Sequence, residues 1–461
     1  MNCVYDYVLG KRKEKGRKMT WVDIVYLVAM LFATIGAIQG VVFNSFRWHR
    51  PDNAKKMQWS QPTVEFDPGT SPSLTLLVPA RHEQAVLANT LIQLCKQNYP
   101  NLVVMPIIGH DDEETLAAAK SVQYLYPKII QIVMDYSWPK NKPRALNSAL
   151  EKIETDLFGI IDAEDDVVPG LCERVVTEFM ADEKVDVVQG GVHLVNLDGP
   201  WFAGRNAVEY LLWYASRLPF QAELGFLPLG GNTCFFRTSI VREVGGWDPD
   251  ALAEDADIGV RIAVNGAKVV VKYDGVFATR EECPESTTAL YKQRVRWYQG
   301  FFQIIRKRDW RMLSLGRQLL ALVTLLTPIL QFLSALVLPG LLLYIGFSQT
   351  TPVDLVLLAF VPLFVEMAAL VLEIDAISRL RRLESKRIRV KDLLLIVLSV
   401  IPYQLVMGAA LFGALVRELS GNRSWTKTVH HGAHRIQPAY IDLRDTSGPV
   451  REPDYFPAAG K

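Results

Sequence analysis

Cysteine, histidine and charge are all scarce in this chain. Its five cysteines (Cys3, Cys95, Cys172, Cys234 and Cys283) are scattered, odd in number and never form a CxxC pair. That excludes a disulfide-rich secreted scaffold and a zinc ribbon. The seven histidines include no HExxH, so a zinc hydrolase has no support. No GxGxxG fingerprint, no Walker A loop and no internal repeat is present. Neither charge sign dominates: 50 Lys plus Arg stand against 49 Asp plus Glu, a net charge of +1 that gives no reason to expect a nucleic-acid partner. Only 21% of residues are charged while 50% are hydrophobic, and the mean hydropathy is positive at +0.13. An entirely soluble protein is excluded on that balance.

What the sequence does contain is apolar length. Four stretches, 24–43, 319–347, 353–374 and 393–416, are long enough to cross a bilayer, which needs about 20 helical residues. The first is too long and lacks the small-residue site of a cleavable signal. Arg379, Arg381, Arg382, Lys386, Arg387, Arg389 and Lys391, between the third and fourth stretches, predict a cytoplasmic loop. Segment 348–352 has no Lys or Arg and reads as external, which puts the region before 319 in the cytoplasm. The N-terminal cluster Lys11, Arg12, Lys13, Lys15, Arg17 and Lys18 prefers the same side, so the course of 24–43 stays open between a crossing and a re-entrant path. Glu366, in the third stretch, either lines a polar path or is simply shielded.

Residues 70–300 read as one soluble α/β domain. Runs 74–78, 102–108, 129–134 and 157–161 alternate with helical patterns at 85–96 and 143–153, which predicts a Rossmann-like sheet with ligands at the carboxyl ends of its strands. Residues 1–69 form an N-terminal segment with one membrane helix. An interfacial amphipathic helix is expected over 298–317, membrane helices over 318–419 and a polar tail over 420–461.

Acidic residues gather after strand ends. Asp162-Ala163-Glu164-Asp165-Asp166 holds four carboxylates in five residues, a costly arrangement without a cation. Oxygen-only ligands suit Mg2+ or Mn2+ bridging a diphosphate. The alternative is a solvated turn capping the helix after Pro169. Further on, Glu254-Asp255-Ala256-Asp257 offers one general base and one capping residue, with the assignment open. Gln293-Arg294-Val295-Arg296-Trp297 joins a guanidinium suited to phosphate with an indole suited to a sugar face. Gly230-Gly231-Asn232 is either an acceptor floor or a tight turn. His110, His193 and Cys234 read as structural.

These motifs occur in a meaningful order: Val78-Pro79-Ala80-Arg81, Asp111-Asp112, Lys142 to Asn147, Asp162 to Asp165, Glu254-Asp255, then Gln293 to Trp297. So ordered, the chain resembles the membrane glycosyltransferases of family 2, among them the cellulose, chitin and hyaluronan synthases, and in its spelling a bacterial exopolysaccharide branch. The resemblance implies a GT-A fold, a cytoplasmic nucleotide-sugar donor, a glycan or lipid-linked acceptor, an integral membrane location and inversion at the anomeric carbon. It implies that Ala80, Glu83, Asp111, Asp112, Lys142, Asp162, Gln293 and Arg296 meet the donor, and that Glu164 or Asp165 holds Mg2+ or Mn2+. It further implies that Asp255 is the base, and that Gly231, Asn232, Glu254 and Trp297 meet the acceptor. The tail Trp425 to His430 belongs to the same resemblance. A polysaccharide synthase is the leading expectation, a glycolipid-forming transferase the alternative. A transporter or scaffold with an inactive transferase domain is a third reading, opposed by the intact acids.

Overall fold

A computed structural model describes residues 20–46, 51–347 and 353–423. The N-terminal basic cluster, segment 348–352 and the tail from Trp425 to His430 lie outside them. Strands β1 (Leu74–Ala80), β2 (Leu102–Gly109), β3 (Val133–Asp135), β4 (Leu157–Ile160), β5 (Val185–Gln189), β7 (Cys234–Arg237) and β8 (Lys268–Val271) form a seven-stranded sheet in the order β3-β2-β1-β4-β7-β5-β8. A second, two-stranded sheet pairs β6 (Val192–Leu194) with β9 (Thr279–Glu281). The first four strands run parallel, whereas β7 is antiparallel to both of its neighbours, so the sheet is mixed. The apolar runs are nearly continuous because both faces are covered. Leu77, Met105, Ile107 and Phe158 face one core, while Leu76, Val78, Val104 and Ile108 face the other.

Helices of eight or more residues in the domain are α2 (Leu87–Cys95), α3 (Glu113–Leu125), α4 (Lys142–Leu150), α5 (Leu171–Ala181), α6 (Ala203–Leu212), α7 (Glu254–Val264) and α8 (Thr287–Lys307). They follow α1 (Trp21–Asn44), which starts in a capping box between Thr20 and Asp23. After α8 come α9 (Leu315–Leu325), α10 (Thr327–Ala335), α11 (Val337–Phe347), α12 (Val353–Leu383), α13 (Val390–Leu398) and α14 (Val400–Leu419). Among the described residues, three helices are apolar and long enough to cross a membrane: α1, Leu357–Leu383 of α12, and α14.

Two sequence expectations change here. The stretch 319–347 is not one straight helix but three pieces, with α9 and α10 bent by 54°. Pro328, in the first turn of α10, has no N–H to continue the α9 ladder. The amphipathic segment after 298 is no separate helix either: α8 runs unbroken from Thr287 to Lys307, and its inner face, with Tyr298, Gln299 and Ile304 buried, packs on α14. Glu366 lies on an exposed part of α12, near Ser334 of α10.

Candidate active site

The carboxyl ends of β1 to β4 open into a cleft, closed on the far side by α7 and α8. Ala80, Glu83, Lys142, Asp162, Glu164, Gly231, Asn232, Glu254, Asp255, Gln293, Arg296 and Trp297 all line it, residues drawn together from positions up to 217 apart in sequence. Three expected residues do not line it: Asp111, Asp112 and Asp165.

Each of the three has a local reason. Asp112 is buried at the N-cap of α3, where its carboxylate accepts the Thr115 N–H (3.3 Å) and the His82 N–H (2.6 Å). Asp111 accepts two hydrogen bonds from the Arg81 guanidinium (3.0 and 3.1 Å), and these lower its pKa to about 2. Arg81 itself lines the cleft, so Asp111 acts on the cleft through Arg81. Asp165 turns inward with no exposure and accepts the Asp162 N–H (3.2 Å), closing the acidic turn. Burial, with Asp162 and Glu281 nearby, holds its carboxyl well above the usual range. Of the two rival ligands, Glu164 is the one that reaches the cleft. None of the four carboxylates caps α5, whose N-cap is Gly170 with no side-chain bond.

Opposite the acidic turn, the Lys142 ammonium donates to Asp162 Oδ1 (2.5 Å) and to the Gly231 carbonyl (2.9 Å). Burial disfavours its charge, but Asp162, Glu254 and Asp255 outweigh burial and keep it protonated above its ordinary pKa. Gly231 has φ +70°, and a Cβ there would stand 2.6 Å from Asp255 Oδ2. Only glycine lets the carboxylate and the backbone approach so closely. Burial, and then Glu254, push the Asp255 pKa up to about 7, against the Ala256 N–H, Lys142 and Arg296. Asp257 lies elsewhere: 2% exposed, it pairs with Arg261 (3.1 Å) and Lys307 (2.5 Å). The cleft acid of this pair is therefore Asp255.

Gln293, Arg296 and Trp297 share one face of α8, as their i, i+3, i+4 spacing requires. Trp297 is held between rings and charge: the Arg294 guanidinium sits 4.5 Å from its centroid and the Tyr210 ring 6.4 Å away. Arg294 in turn forms a fork on Glu209 (2.6 and 3.0 Å), which also accepts the Tyr403 hydroxyl of α14 (2.5 Å).

The sequence reading missed Asp135, Tyr210, Tyr214 and Glu281, all of which line the cleft. Asp135 was accessible to the rule that residues just past a strand matter, since it ends β3. Glu281 arrives through the small β6–β9 sheet and a backbone bridge between Asp166 and Arg280, which no local pattern signals. Burial, with Glu164 and Asp162 beside it, raises the Glu281 pKa to about 8. This surplus of carboxylates is one a divalent cation would relieve. Among the described residues, no group of three or more His, Cys, Asp or Glu forms a closed metal cage. Mg2+ and Mn2+ need none, since one or two carboxylates plus substrate phosphates and water suffice. Asp162 and Glu164 fit that role.

The family model for "Glycosyltransferase like family 2" matches residues 72–300. Residues 72–300 are a glycosyltransferase family 2 domain. The chain is 27% identical over 289 residues to β-monoglucosyldiacylglycerol synthase of Trichormus variabilis, covering 62% of this chain and 58% of that protein. It is also 24% identical over 234 residues to poly-β-1,6-N-acetyl-D-glucosamine synthase of Staphylococcus aureus (strain COL), covering 50% and 55%. The chain thus spans little more than half the length of these two relatives. Among solved structures it resembles the mannosyltransferase PcManGT from Pyrobaculum calidifontis in complex with GDP-Man and Mn2+. There the TM-score is 0.56 at 17% identity, over 87% of this chain and 99% of that one. The family 2 domain has the GT-A fold.

Proposed function

We propose that the chain transfers a hexosyl group, with inversion, from a cytoplasmic UDP-sugar to the end of a growing β-linked glycan. The reading rests on one observation: Asp255 shares a cleft with the Lys142–Asp162 pair and with the Gln293, Arg296 and Trp297 face of α8. An acceptor hydroxyl oxygen attacks the anomeric carbon as the bond from that carbon to the diphosphate oxygen breaks. The hydroxyl proton passes to the Asp255 carboxylate, and the nucleoside diphosphate departs with the bonding pair. Lys142 and Arg296 offer positive charge where that negative charge develops. Asp162 and Glu164 would hold Mg2+ or Mn2+, which supplies further charge neutralisation to the diphosphate. Trp297 and Tyr210 give the acceptor sugar an apolar face to stack on. The three apolar helices support a membrane location, with the cleft on the cytoplasmic side and the product directed toward the bundle.

The similarity to a β-monoglucosyldiacylglycerol synthase supports a second reading, single transfer to a lipid acceptor. Product sizing separates the two. Purified protein in lipid is to be given UDP-Glc, UDP-GlcNAc, UDP-GlcA or GDP-Man, with nucleoside diphosphate release and product length measured. Long products even with scarce donor are expected, with Trp297→Ala abolishing elongation while some donor hydrolysis persists. Products that stop at one added sugar under excess donor establish the glycolipid reading, and no diphosphate release from any donor overturns both.

A further inference from the structure

A second cavity lies at the N-terminal end of α6, between the domain and helices α12 and α13. Trp201, Arg205, Arg381, Lys391 and Ser399 are among its lining residues. The cations that build its walls are neutralised from within. Arg381, 1% exposed, pairs with Asp198 (2.9 Å), Asp392 (2.7 Å) and Glu384 (3.0 Å). Arg389 pairs with Asp392 (2.8 Å) and with Asp198. Arg205 pairs with Glu373 (2.9 Å) and donates to Ser399 (3.0 Å) and to the Ile396 carbonyl. Of the remaining cations Lys391 lines the cavity, while Arg382 and Arg387 lie at the end of α12 and in the link to α13; all three are exposed and form no ion pair among the described residues.

Their position identifies the kind of anion they would meet. Arg382 lies in the last turn of α12, beyond the apolar part of that helix, and Lys391 opens α13. Cations at the end of an apolar span lie at the bilayer surface, where lipid headgroups are concentrated. Beside them Val390, Leu394 and Leu398, spaced by four, form an exposed apolar stripe along α13. A headgroup site above a track for acyl chains is the arrangement of an anionic phospholipid. A soluble phosphate would use the cations but not the stripe.

We propose that this cavity, with Lys391 in its lining and Arg382 and Arg387 in the adjoining α12–α13 link, seats the headgroup of an anionic phospholipid, and that occupancy steadies α6. The helix can report the lipid to the active site. Arg205 faces the lipid cavity, and one turn on, Glu209 holds Arg294 beneath Trp297 while Tyr210 lines the cleft. Binding stands on its own; the activating effect rests on the transferase reading above.

The test uses the full chain in bilayers of phosphatidylcholine, alone or mixed with phosphatidylglycerol. Brominated phosphatidylglycerol should quench Trp201, read as the difference between wild type and Trp201→Phe, and brominated phosphatidylcholine should quench it far less. Each such surface cation is worth about fivefold in attraction, so the triple variant Arg382→Gln, Arg387→Gln, Lys391→Gln should weaken that quenching on the order of a hundredfold. Arg382→Lys with Arg387→Lys, Lys391 kept, should restore it. The control triple Lys120→Gln, Lys128→Gln, Lys152→Gln, on exposed domain lysines, should behave as wild type. Equal quenching by both lipids, or an unaffected triple Gln variant, overturns the site. Competition by inorganic phosphate in phosphatidylcholine that matches the lipid effect makes it a soluble-anion site instead. Quenching without any rise in diphosphate release overturns only the activating effect. Quenching with no release in any lipid leaves the site standing and removes the transferase reading.

Discussion

Helix α6 touches two charged clusters that treat carboxylates in opposite ways. At its N-terminal end Asp198 is gripped by Arg381 and Arg389, and these bonds lower its pKa to about 2. At its other end the cleft gathers Asp162, Glu164, Glu254, Asp255 and Glu281 around fewer cations, and burial raises Asp255 to about 7 and Glu281 to about 8. The first cluster is a joint: every buried charge has a partner, so it fixes the domain on α12 and α13. The second keeps charge in reserve for a substrate. Similar acids, close in space, therefore differ in function because one set is matched by arginines and the other gathers more carboxylates than cations.

Removing the missing cation is the severest way to test that contrast. EDTA should abolish transfer, and Mg2+ or Mn2+ should restore it, as read by nucleoside diphosphate release. Glu164→Gln should raise the metal concentration needed for half activity much more than Asp165→Asn. The latter should instead lower the melting temperature, because Asp165 holds the turn. Full activity without divalent cation would contradict the reserve.

Next in size is Gly231→Ala. The new Cβ would press on Asp255 Oδ2 from 2.6 Å at a positive φ, a left-handed placement that costs about 1–2 kcal/mol in itself. Transfer should fall by more than stability explains, measured as kcat beside the melting temperature. The smallest effect should come from Arg294→Lys. It keeps the charge on Glu209 but loses the flat guanidinium over Trp297, a contact worth about 1–2 kcal/mol. Acceptor KM should rise about five- to thirtyfold, while donor KM stays put.

Much of this was legible in the sequence for a physical reason. Strands buried on both faces leave continuous apolar runs, and residues after them sit at the cleft, so β1, β2 and β4 and the acids beyond them could be read directly. Asp255 and Asp257 could not be told apart. Their difference depends on Lys307, 50 residues away, reaching Asp257 across the gap between α7 and α8. Tyr210 and Tyr214 look like core aromatics until the five-residue π-helical turn Trp213–Arg217 after α6 is seen, a distortion frequent at functional sites. Hydropathy alone cannot register a helix break, so 319–347 read as one span although Pro328 divides it.

The most direct measurement compares Asp255→Asn with Asp257→Asn, reading donor binding by calorimetry and transfer by product formation. Asp255→Asn should keep donor affinity near wild type and lose about 10²–10⁴-fold in transfer, while Asp257→Asn should act mainly through stability. In the wild type, transfer should climb as pH rises through about 7, because Asp255 accepts a proton only when ionised and burial delays that ionisation; Asp255→Asn should flatten the climb. Transfer that survives in Asp255→Asn, with the pH profile unchanged, would contradict the account.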